Sequence, residues 1–211
     1  METKNLIDTF NNYRYNFNNI RKEFEKKTKR IEYSLGGWLY YDIYNDPEML
    51  IYKRETDIEP RLIKKKKNKW EKGLIVYYFD TKDNIIEIKV DFGFLKNLYV
   101  YYFNKFYDNT IERMQFDPGG MLMDVTYYLF DDTNKLNKKY LVTLDGCKEF
   151  YFEEYNYFYN NRTIEKIIIR QYNEQNEEGV SELLFEYDKN NKLFIRRNIR
   201  SNLPINKGLK L

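Results

Sequence analysis

Apolar residues recur at helical spacing near the N-terminus. Steps of four and three residues separate the members of one stripe, which are Leu6, Phe10, Tyr13, Phe17, Ile20 and Phe24. Such a stripe is typical of an amphipathic helix with one buried face. The sequence therefore predicts a helix over residues 3–30 that packs on one face of a sheet. The many Lys and Arg residues of this stretch leave a membrane-surface helix as the alternative.

From Trp38 onward, short apolar runs are separated by turn-forming residues. The runs are WLYYDIY, EMLIYKRE, LIVYYF, NIIEIKVDF, LYVYYF, IERMQF, MLMDVTYYLF, KKYLVTL, KEFYF, IEKIIIRQY, VSELLFEY and LFIRRNI. Because no helical pattern lies between them, the sequence predicts an antiparallel meander of about 8–11 strands over residues 38–200. The predicted fold class is mainly β (α+β), in one domain spanning residues 1–211. A sheet of this size is expected to curl or split, and the tail 201–211 is expected to be flexible.

One short phrase occurs four times in this region. Each copy has an aromatic residue, then Asp, then turn-forming residues, and an apolar residue six positions after the aromatic. The aromatic residues are Phe79, Phe116, Phe130 and Tyr187. The Asp side chain can accept hydrogen bonds from backbone N–H groups two residues on. Three copies place Gly120, Asn134 or Asn191 where a hairpin needs a positive φ. The phrase predicts four hairpin turns rather than four acidic sites.

Residues 121–130 form a predicted strand that is apolar on both sides. Met121, Met123, Val125, Tyr127 and Leu129 lie on one side, and Leu122, Tyr128 and Phe130 lie on the other. Because one helix covers only one face, the other face is expected to be tyrosine-rich and partly open to solvent. A surface of that kind usually marks an interaction site. The alternative is that both faces are buried in a sandwich.

The composition of the 211 residues adds few constraints on the fold but several on the chemistry. The chain has 22 Tyr, no His and one Cys, which excludes an internal disulfide. Its net charge of +3 is unevenly distributed. The segment 61–72 is strongly basic, whereas the segment 145–188 carries eleven acidic and four basic residues. Segregated charge is typical of solvated faces, and it can also steer a charged partner.

No catalytic motif is present in the sequence. Without His, the commonest general base and zinc ligand is missing, and Cys147 has no His to activate it. The adjacent pairs Glu153–Glu154 and Glu177–Glu178 could supply a carboxylate site, but neighbours on a strand point to opposite faces. The run Lys64–Lys67 with Trp70 could contact a phosphate backbone and a base. We expect no catalytic residue, cofactor, metal or small-molecule substrate.

The sequence has no run of 18 apolar residues and no signal-peptide pattern. As given, it predicts a soluble, cytoplasmic protein. The alternative is an extracytoplasmic protein held at the membrane by an N-terminal anchor that this sequence does not contain.

Two resemblances suggest a function. The turns Tyr187-Asp188-x-x-Asn191-x-Leu193 and Phe130-Asp131-x-x-Asn134-x-Leu136 resemble the YD repeat of bacterial Rhs proteins, which implies toxin–immunity biology. The stretches NLIDTFNNYRYN and YYDIYNDPEMLIY, with the Tyr-rich hairpins after them, resemble immunity proteins of LXG toxins, of the TipC kind. That family implies a curved, single-layer antiparallel sheet whose concave face caps a cognate toxin outside the cell.

We therefore expect an immunity protein without enzymatic activity, which occludes a protein toxin. Tyrosine is enriched at energetically dominant interface positions, and acids would complement basic groups of the toxin. The expected contact residues are Tyr99, Tyr101, Tyr127, Tyr128, Glu153, Glu154 and Glu178. Tyr127 and Tyr128 lie on opposite faces, so only one of them can face the toxin. The alternatives are a small carboxylate-dependent hydrolase and a general protein-binding or nucleic-acid-binding module.

Overall fold

The computed structural model describes the chain in ten stretches. These are residues 3–40, 43–44, 46, 60–64, 72–91, 98–144, 149–161, 163–173, 177–187 and 193–200, with only the backbone described at 177–178, 187 and 193–200. Two helices, α1 (Thr3–Arg14) and α2 (Phe17–Lys27), precede the strands. The described strands are β1 (Arg30–Leu35), β2 (Arg61–Ile63), β3 (Ile75–Phe79), β4 (Ile85–Asp91), β5 (Tyr99–Tyr107), β6 (Thr110–Phe116), β7 (Leu122–Phe130), β8 (Leu136–Leu144), β9 (Phe150–Asn160), β10 (Thr163–Asn173), β11 (Glu177–Tyr187) and β12 (Leu193–Arg200).

These twelve strands form one antiparallel sheet. From β3 to β12 each strand pairs with the strands next to it in the chain, which confirms the predicted meander. At the other end β1 pairs with both β3 and β2. The sheet is open, with β12 at one edge and β2 at the other. The predicted fold class, mainly β with an N-terminal helical part, is confirmed, and the three-residue β2 was not among the predicted strands.

The helix predicted over residues 3–30 is wrong in its continuity and in its end. Tyr15 and Asn16 separate α1 from α2, and the Asn16 amide group donates a hydrogen bond to the Asn12 carbonyl. An Asn side chain that bonds to the backbone in this way competes with the helical hydrogen-bond pattern. The α2 helix ends at Lys27, and Thr28 already has extended backbone geometry.

The first strand is β1, which the sequence analysis did not predict. Its residues pair with β3, for example Tyr33 with Val76. The strand predicted for WLYYDIY is wrong, because its described residues, 38–40 and 43–44, lie outside every strand. The predicted strand EMLIYKRE and the tail 201–211 lie outside the described residues.

Both helices pack on one face of the sheet, which we call the helix face. Leu6, Phe10, Ile20 and Phe24 are buried there, so the predicted apolar stripe is confirmed. Their sheet partners in this core are Ile86, Phe103, Met114, Phe116, Leu122, Val125, Tyr127, Tyr140, Val142 and Phe152. The two short helices are therefore held by tertiary packing, as their many Asn residues require.

The other face of the sheet, which we call the opposite face, carries residues of the segment 38–46. Trp38, Leu39 and Tyr40 pack against a core cluster on β3 and β4. Tyr44 belongs to a second cluster on β6 to β11, whose sheet members are Ile111, Tyr128, Leu136, Tyr157, Ile164, Ile167, Ile169, Leu183 and Phe185. Both faces of this single sheet therefore carry buried apolar side chains.

Candidate interaction surface

Two exposed apolar side chains lie together where the helices meet the β6–β7 turn. Tyr15 is 84% exposed and Met121 is 60% exposed. Both line a shallow cleft with Arg14, Phe17 and Asn18, and the turn glycines Gly119 and Gly120 form the rest of its wall. The Arg14 guanidinium carbon lies 5.4 Å from the centroid of the Tyr15 ring. We call Arg14, Tyr15, Asn18 and Met121 the apical patch.

The turn that presents Met121 is held by several hydrogen bonds. The backbone N–H groups of Asp117 and Gly120 donate to the carbonyl oxygens of Met121 and Asp117, at 2.9 and 3.0 Å. The Met121 N–H also donates to Asp117 Oδ1 at 2.8 Å. Gly120 has a φ of 83°, and a Cβ atom there would lie 2.8 Å from Cδ1 of Phe17. The turn therefore fits against α2 only because residue 120 is glycine.

The junction that presents Tyr15 is equally well bonded. The Asn16 N–H donates to the Tyr13 carbonyl, and the N–H groups of Asn19 and Ile20 donate to the Asn16 carbonyl, all within 3.0 Å. Phe17, the first residue of α2, packs its ring on Phe116 with a centroid distance of 5.2 Å. These contacts fix the backbone on both sides of Tyr15, so its exposed ring projects from a defined position.

Tyr99 and Tyr101, two of the predicted contact residues, lie on β5 beside this region. Both are partly exposed. The Tyr101 ring lies 5.1 Å from the Phe17 ring, and the Arg21 guanidinium carbon lies 5.9 Å from its centroid. Burial raises the pKa of the Tyr99 hydroxyl, with Asp91 and Tyr101 adding to the shift. The structure thus brings Tyr101 to the border of the apical patch through Phe17.

The other two predicted tyrosines are buried, which corrects the expectation that they point outward. Tyr127 is 6% exposed and Tyr128 is 2% exposed. They lie on opposite faces, as the alternation of side chains along a strand requires. Tyr127 packs in the core beneath the helices, and Tyr128 packs beneath Tyr44. The sequence could not show this because the residues that cover each face come from distant parts of the chain.

The predicted acids on β9 have partners within the chain. Glu153 lies on the opposite face, where it accepts hydrogen bonds from the Tyr155 hydroxyl and from the Gln171 amide group, the latter at 2.7 Å. Glu154 lies on the helix face, where Asn156 Nδ2 is 3.0 Å from its Oε1 and Lys138 Nζ is 3.5 Å away. The pair is therefore divided between the two faces, as predicted. The side chains of Glu177 and Glu178 lie outside the described part of the chain.

The tyrosine-rich opposite face is largely buried at the residues described, although Tyr102, Tyr155 and Tyr159 stay partly exposed. Tyr44, Tyr77 and Tyr157 are among its buried side chains. A polar network joins the segment 38–46 to this face, since Asp46 contacts Lys139 Nζ at 2.9 Å and the Tyr157 hydroxyl at 3.2 Å. The expected face was tyrosine-rich and partly open, and its open part is limited to these partly exposed rings. Among the described residues, those that pack on this face, 38–40, 43–44 and 46, lie outside every strand and so do not form a second sheet.

A second polar group on the opposite face surrounds Arg113. Its Nη2 atom donates to Asp124 Oδ1 at 3.2 Å and to the Thr126 hydroxyl at 3.0 Å. The rings of Tyr44 and Tyr128 lie within 6 Å of its guanidinium carbon. Desolvation lowers the pKa of Arg113, but the surrounding tyrosines and Asp124 outweigh it and raise that pKa overall. Arg113 is therefore a permanent buried cation that the rings and the carboxylate stabilise.

Two observations on the described residues concern the alternative chemistries. They contain no group of three or more His, Cys, Asp or Glu side chains that could hold a metal ion. Among the described acids with a resolved shift, only Glu87 has a raised pKa, caused by burial and opposed by Lys89. Cys147, Lys65–Lys67 and Trp70, which the sequence analysis considered, lie outside the described residues. No described helix is long and apolar enough to cross a membrane.

Sequence reasoning missed Tyr15 and Met121. Tyr15 stands off the helical stripe, between Tyr13 and Phe17, and Met121 directly follows Gly119-Gly120 in a turn. In both cases the sequence places an apolar residue where a polar one is usual, and this could have indicated an exposed apolar side chain.

Comparison with known proteins identifies one structural similarity. No family model and no curated protein matches the chain. Among solved structures, a porin-like protein from Bacteroides uniformis ATCC 8492 is similar, with 13% sequence identity and a TM-score of 0.41. The similarity covers 82% of this chain and 56% of that chain, so this chain spans little more than half the length of that protein.

Proposed function

We propose that this chain is an immunity protein that binds a cognate toxin domain and covers its active site. The observation that carries the proposal is the apical patch, in which a hydrogen-bonded backbone presents Tyr15 and Met121 to solvent. Tyr, Met and Arg are enriched at protein interfaces, and Tyr and Arg are frequent among the residues that dominate binding energy. The patch combines all three residue types.

The rigidity of the patch supports a binding role rather than incidental exposure. Ordering interface side chains and loops on association costs free energy, and a preformed surface avoids much of that cost. The β6–β7 turn is fixed by Asp117 and by the contact of Gly120 with Phe17. A partner that offers an apolar pocket to Tyr15 and Met121 would therefore gain burial without first ordering this surface.

Within this proposal, Tyr99 and Tyr101 extend the apical patch along β5. Tyr127 and Tyr128 support the fold from within the two cores. Inhibition would be steric, and it would require no bond-making step in this chain. The resemblance of the N-terminal stretch and the hairpins to TipC-type immunity proteins supports a toxin as the partner.

The proposal is tested with the protein encoded by the gene adjacent to this one. We expect its C-terminal domain to be toxic when expressed alone in bacteria, and co-expression of this chain to restore growth. We also expect the two purified proteins to form a complex that can be measured by isothermal titration calorimetry. A toxic domain that is neither bound nor neutralised by this chain would overturn the proposal.

A further inference from the structure

A second surface of different character lies on the helix face over β8 to β11. We call it the outer strip, and its side chains are Lys138, Glu154, Phe158, Lys166, Arg170 and Glu182. Phe158 is 39% exposed, Arg170 is exposed and the others are partly exposed. The α1 helix lies towards the other end of these strands, where Phe10 contacts Phe150. The outer strip therefore lies beyond the part of the face that α1 covers.

Direct pairing across the strands shows that these side chains share one face. Lys138 of β8 pairs with Asn156 of β9, which in turn pairs with Ile168 of β10. Ile168 then pairs with Glu182 of β11, so Lys138 and Glu182 lie in one row. Two further rows run parallel to the first. Glu154 pairs with Arg170 in one of them, and Phe158 pairs with Lys166 in the other.

The charges of the outer strip alternate from strand to strand. The sign is positive at Lys138 on β8, negative at Glu154 on β9, positive at Lys166 and Arg170 on β10, and negative at Glu182 on β11. Neighbouring charges are loosely paired, at 3.5 Å for Lys138 with Glu154 and 3.8 Å for Lys166 with Glu182. Partly exposed pairs of this length contribute little to stability, so their charges can also interact with a partner placed over the strip.

We propose that the outer strip binds a second copy of this chain, face to face, about a two-fold axis. An axis parallel to the strands and above the boundary of β9 and β10 places β10 of the second copy over β9, and β11 of the second copy over β8. Positions along the strands are preserved by this rotation. Glu154 then faces Arg170 of the second copy, and Lys138 faces Glu182 of the second copy.

The remaining residues of the strip also match under this rotation. Phe158 faces Lys166 of the second copy, which is a favourable cation–π pairing. Phe158 on β9 and the partly exposed Ile168 on β10 provide apolar area beside the axis, and the partly exposed Leu184 lies one strand further out. A two-fold interface requires a surface complementary to itself. Opposite charges meet in both rows that carry charged residues on two strands. The charges of the strip are therefore complementary to those of a second copy.

The test is a charge exchange measured by analytical ultracentrifugation of the full chain, from micromolar to submillimolar concentration. We expect a concentration-dependent dimer, and we expect Lys138→Glu to raise its dissociation constant by roughly tenfold or more, because it opposes Glu182. The double variant Lys138→Glu with Glu182→Lys restores opposite charges and should return to within about threefold of the original constant. Lys26→Glu, which changes the net charge equally at an exposed site on α2, should have no such effect.

A chain that stays monomeric throughout this range would overturn the proposal. So would a dimer that Lys138→Glu weakens no more than Lys26→Glu does, or a folded double variant that fails to restore dimerisation. Circular dichroism identifies a variant that does not fold. In that case the exchange of Glu154→Arg with Arg170→Glu applies the same comparison to the neighbouring row.

Discussion

The ring of Tyr44 stacks on the ring of Tyr128, with centroids 4.3 Å apart and an angle of 10° between the planes. Both residues are buried. The Tyr44 hydroxyl also donates a hydrogen bond of 2.8 Å to Asn104 Oδ1, and Asn104 Nδ2 donates to the Ile85 carbonyl. Tyr44 thus contacts β7 and β5 directly and is linked to β4 through Asn104. It occupies the face that was expected to be partly open.

Two substitutions of Tyr44 should distinguish how much its ring packing and its hydrogen bond each contribute to the free energy of unfolding. Tyr44→Ala removes a fully buried aromatic ring and should lower the free energy of unfolding by about 3–5 kcal/mol. Tyr44→Phe keeps the stack with Tyr128 but leaves Asn104 Oδ1 without this donor, and it should cost about 1 kcal/mol. Urea unfolding followed by circular dichroism measures both. Equal losses in the two variants would mean that the stack contributes nothing.

The glycines of the β6–β7 turn provide a matched pair. Gly120→Ala should lower the free energy of unfolding by about 1–2 kcal/mol, because its φ is 83° and its new Cβ would lie 2.8 Å from the Phe17 ring. Gly119→Ala has no such φ, and its nearest contact is Asp117 Oδ1 at 3.3 Å. We expect Gly119→Ala to change stability by less than half as much. Thermal unfolding measures the stability of both variants. Equal losses would mean that the positive φ of Gly120 and its approach to Phe17 do not require glycine.

Glu87 is a buried carboxylate on the helix face that should destabilise the fold when ionised. Lys89 Nζ lies 3.2 Å from its Oε1, but neither oxygen accepts a hydrogen bond of good geometry from the described residues. Burial raises the pKa of Glu87 above its ordinary value of 4.5, while Lys89 and Arg21 oppose the shift and Glu25 adds to it. Glu87→Gln should therefore raise the free energy of unfolding at pH 7 by about 1 kcal/mol.

The pH dependence of this effect has a defined sign. An acid whose pKa is higher in the folded state binds more protons when folded, so its contribution to stability falls as the pH rises above the unfolded value. The advantage of Glu87→Gln over the original chain should thus be small near pH 4.5 and should grow towards pH 8. Thermal unfolding of both proteins across this range measures the difference. The other titrating groups are the same in both proteins, so their contributions nearly cancel in it. A constant difference would show that Glu87 has an ordinary pKa.

The hairpins were the part of the fold that the sequence predicted best, because their determinants are local. Asp80, Asp117 and Asp131 each accept backbone hydrogen bonds through Oδ1. Gly120 and Asn134 have the positive φ that was predicted for them, and the apolar residue of each described copy begins the return strand. In each of these hairpins the pairing register also shifts at the aromatic residue, which the phrase did not reveal. In the fourth copy Tyr187 pairs with Leu193, which begins β12, while the turn 188–192 between them lies outside the described residues.

The faces of the sheet could not be assigned from sequence, because their coverage depends on distant contacts. Tyr127 and Tyr128 are adjacent aromatic residues of β7. Nothing in the local sequence shows that the segment carrying Tyr44 covers one of them. Asp46 and Tyr157, which meet on that face, are 111 residues apart in the chain. The burial of both Tyr127 and Tyr128 could not be predicted for the same reason. Tyr15, which is exposed, lies at the junction between the two helices and not on a strand.

The apical patch should contribute to partner binding without contributing to stability. Tyr15→Ala and Met121→Ala each remove a largely exposed side chain, so the free energy of unfolding should change by less than about 0.5 kcal/mol. Their effect on the affinity for the toxin domain should be at least about tenfold each, because both would be buried at the centre of the complex. Tyr107→Ala is the matched control, since Tyr107 is 56% exposed outside the patch and should leave the affinity unchanged. Calorimetric titration measures the three dissociation constants. If Tyr107→Ala weakens binding while Tyr15→Ala does not, the toxin contacts the end of β5 instead of the helix junction.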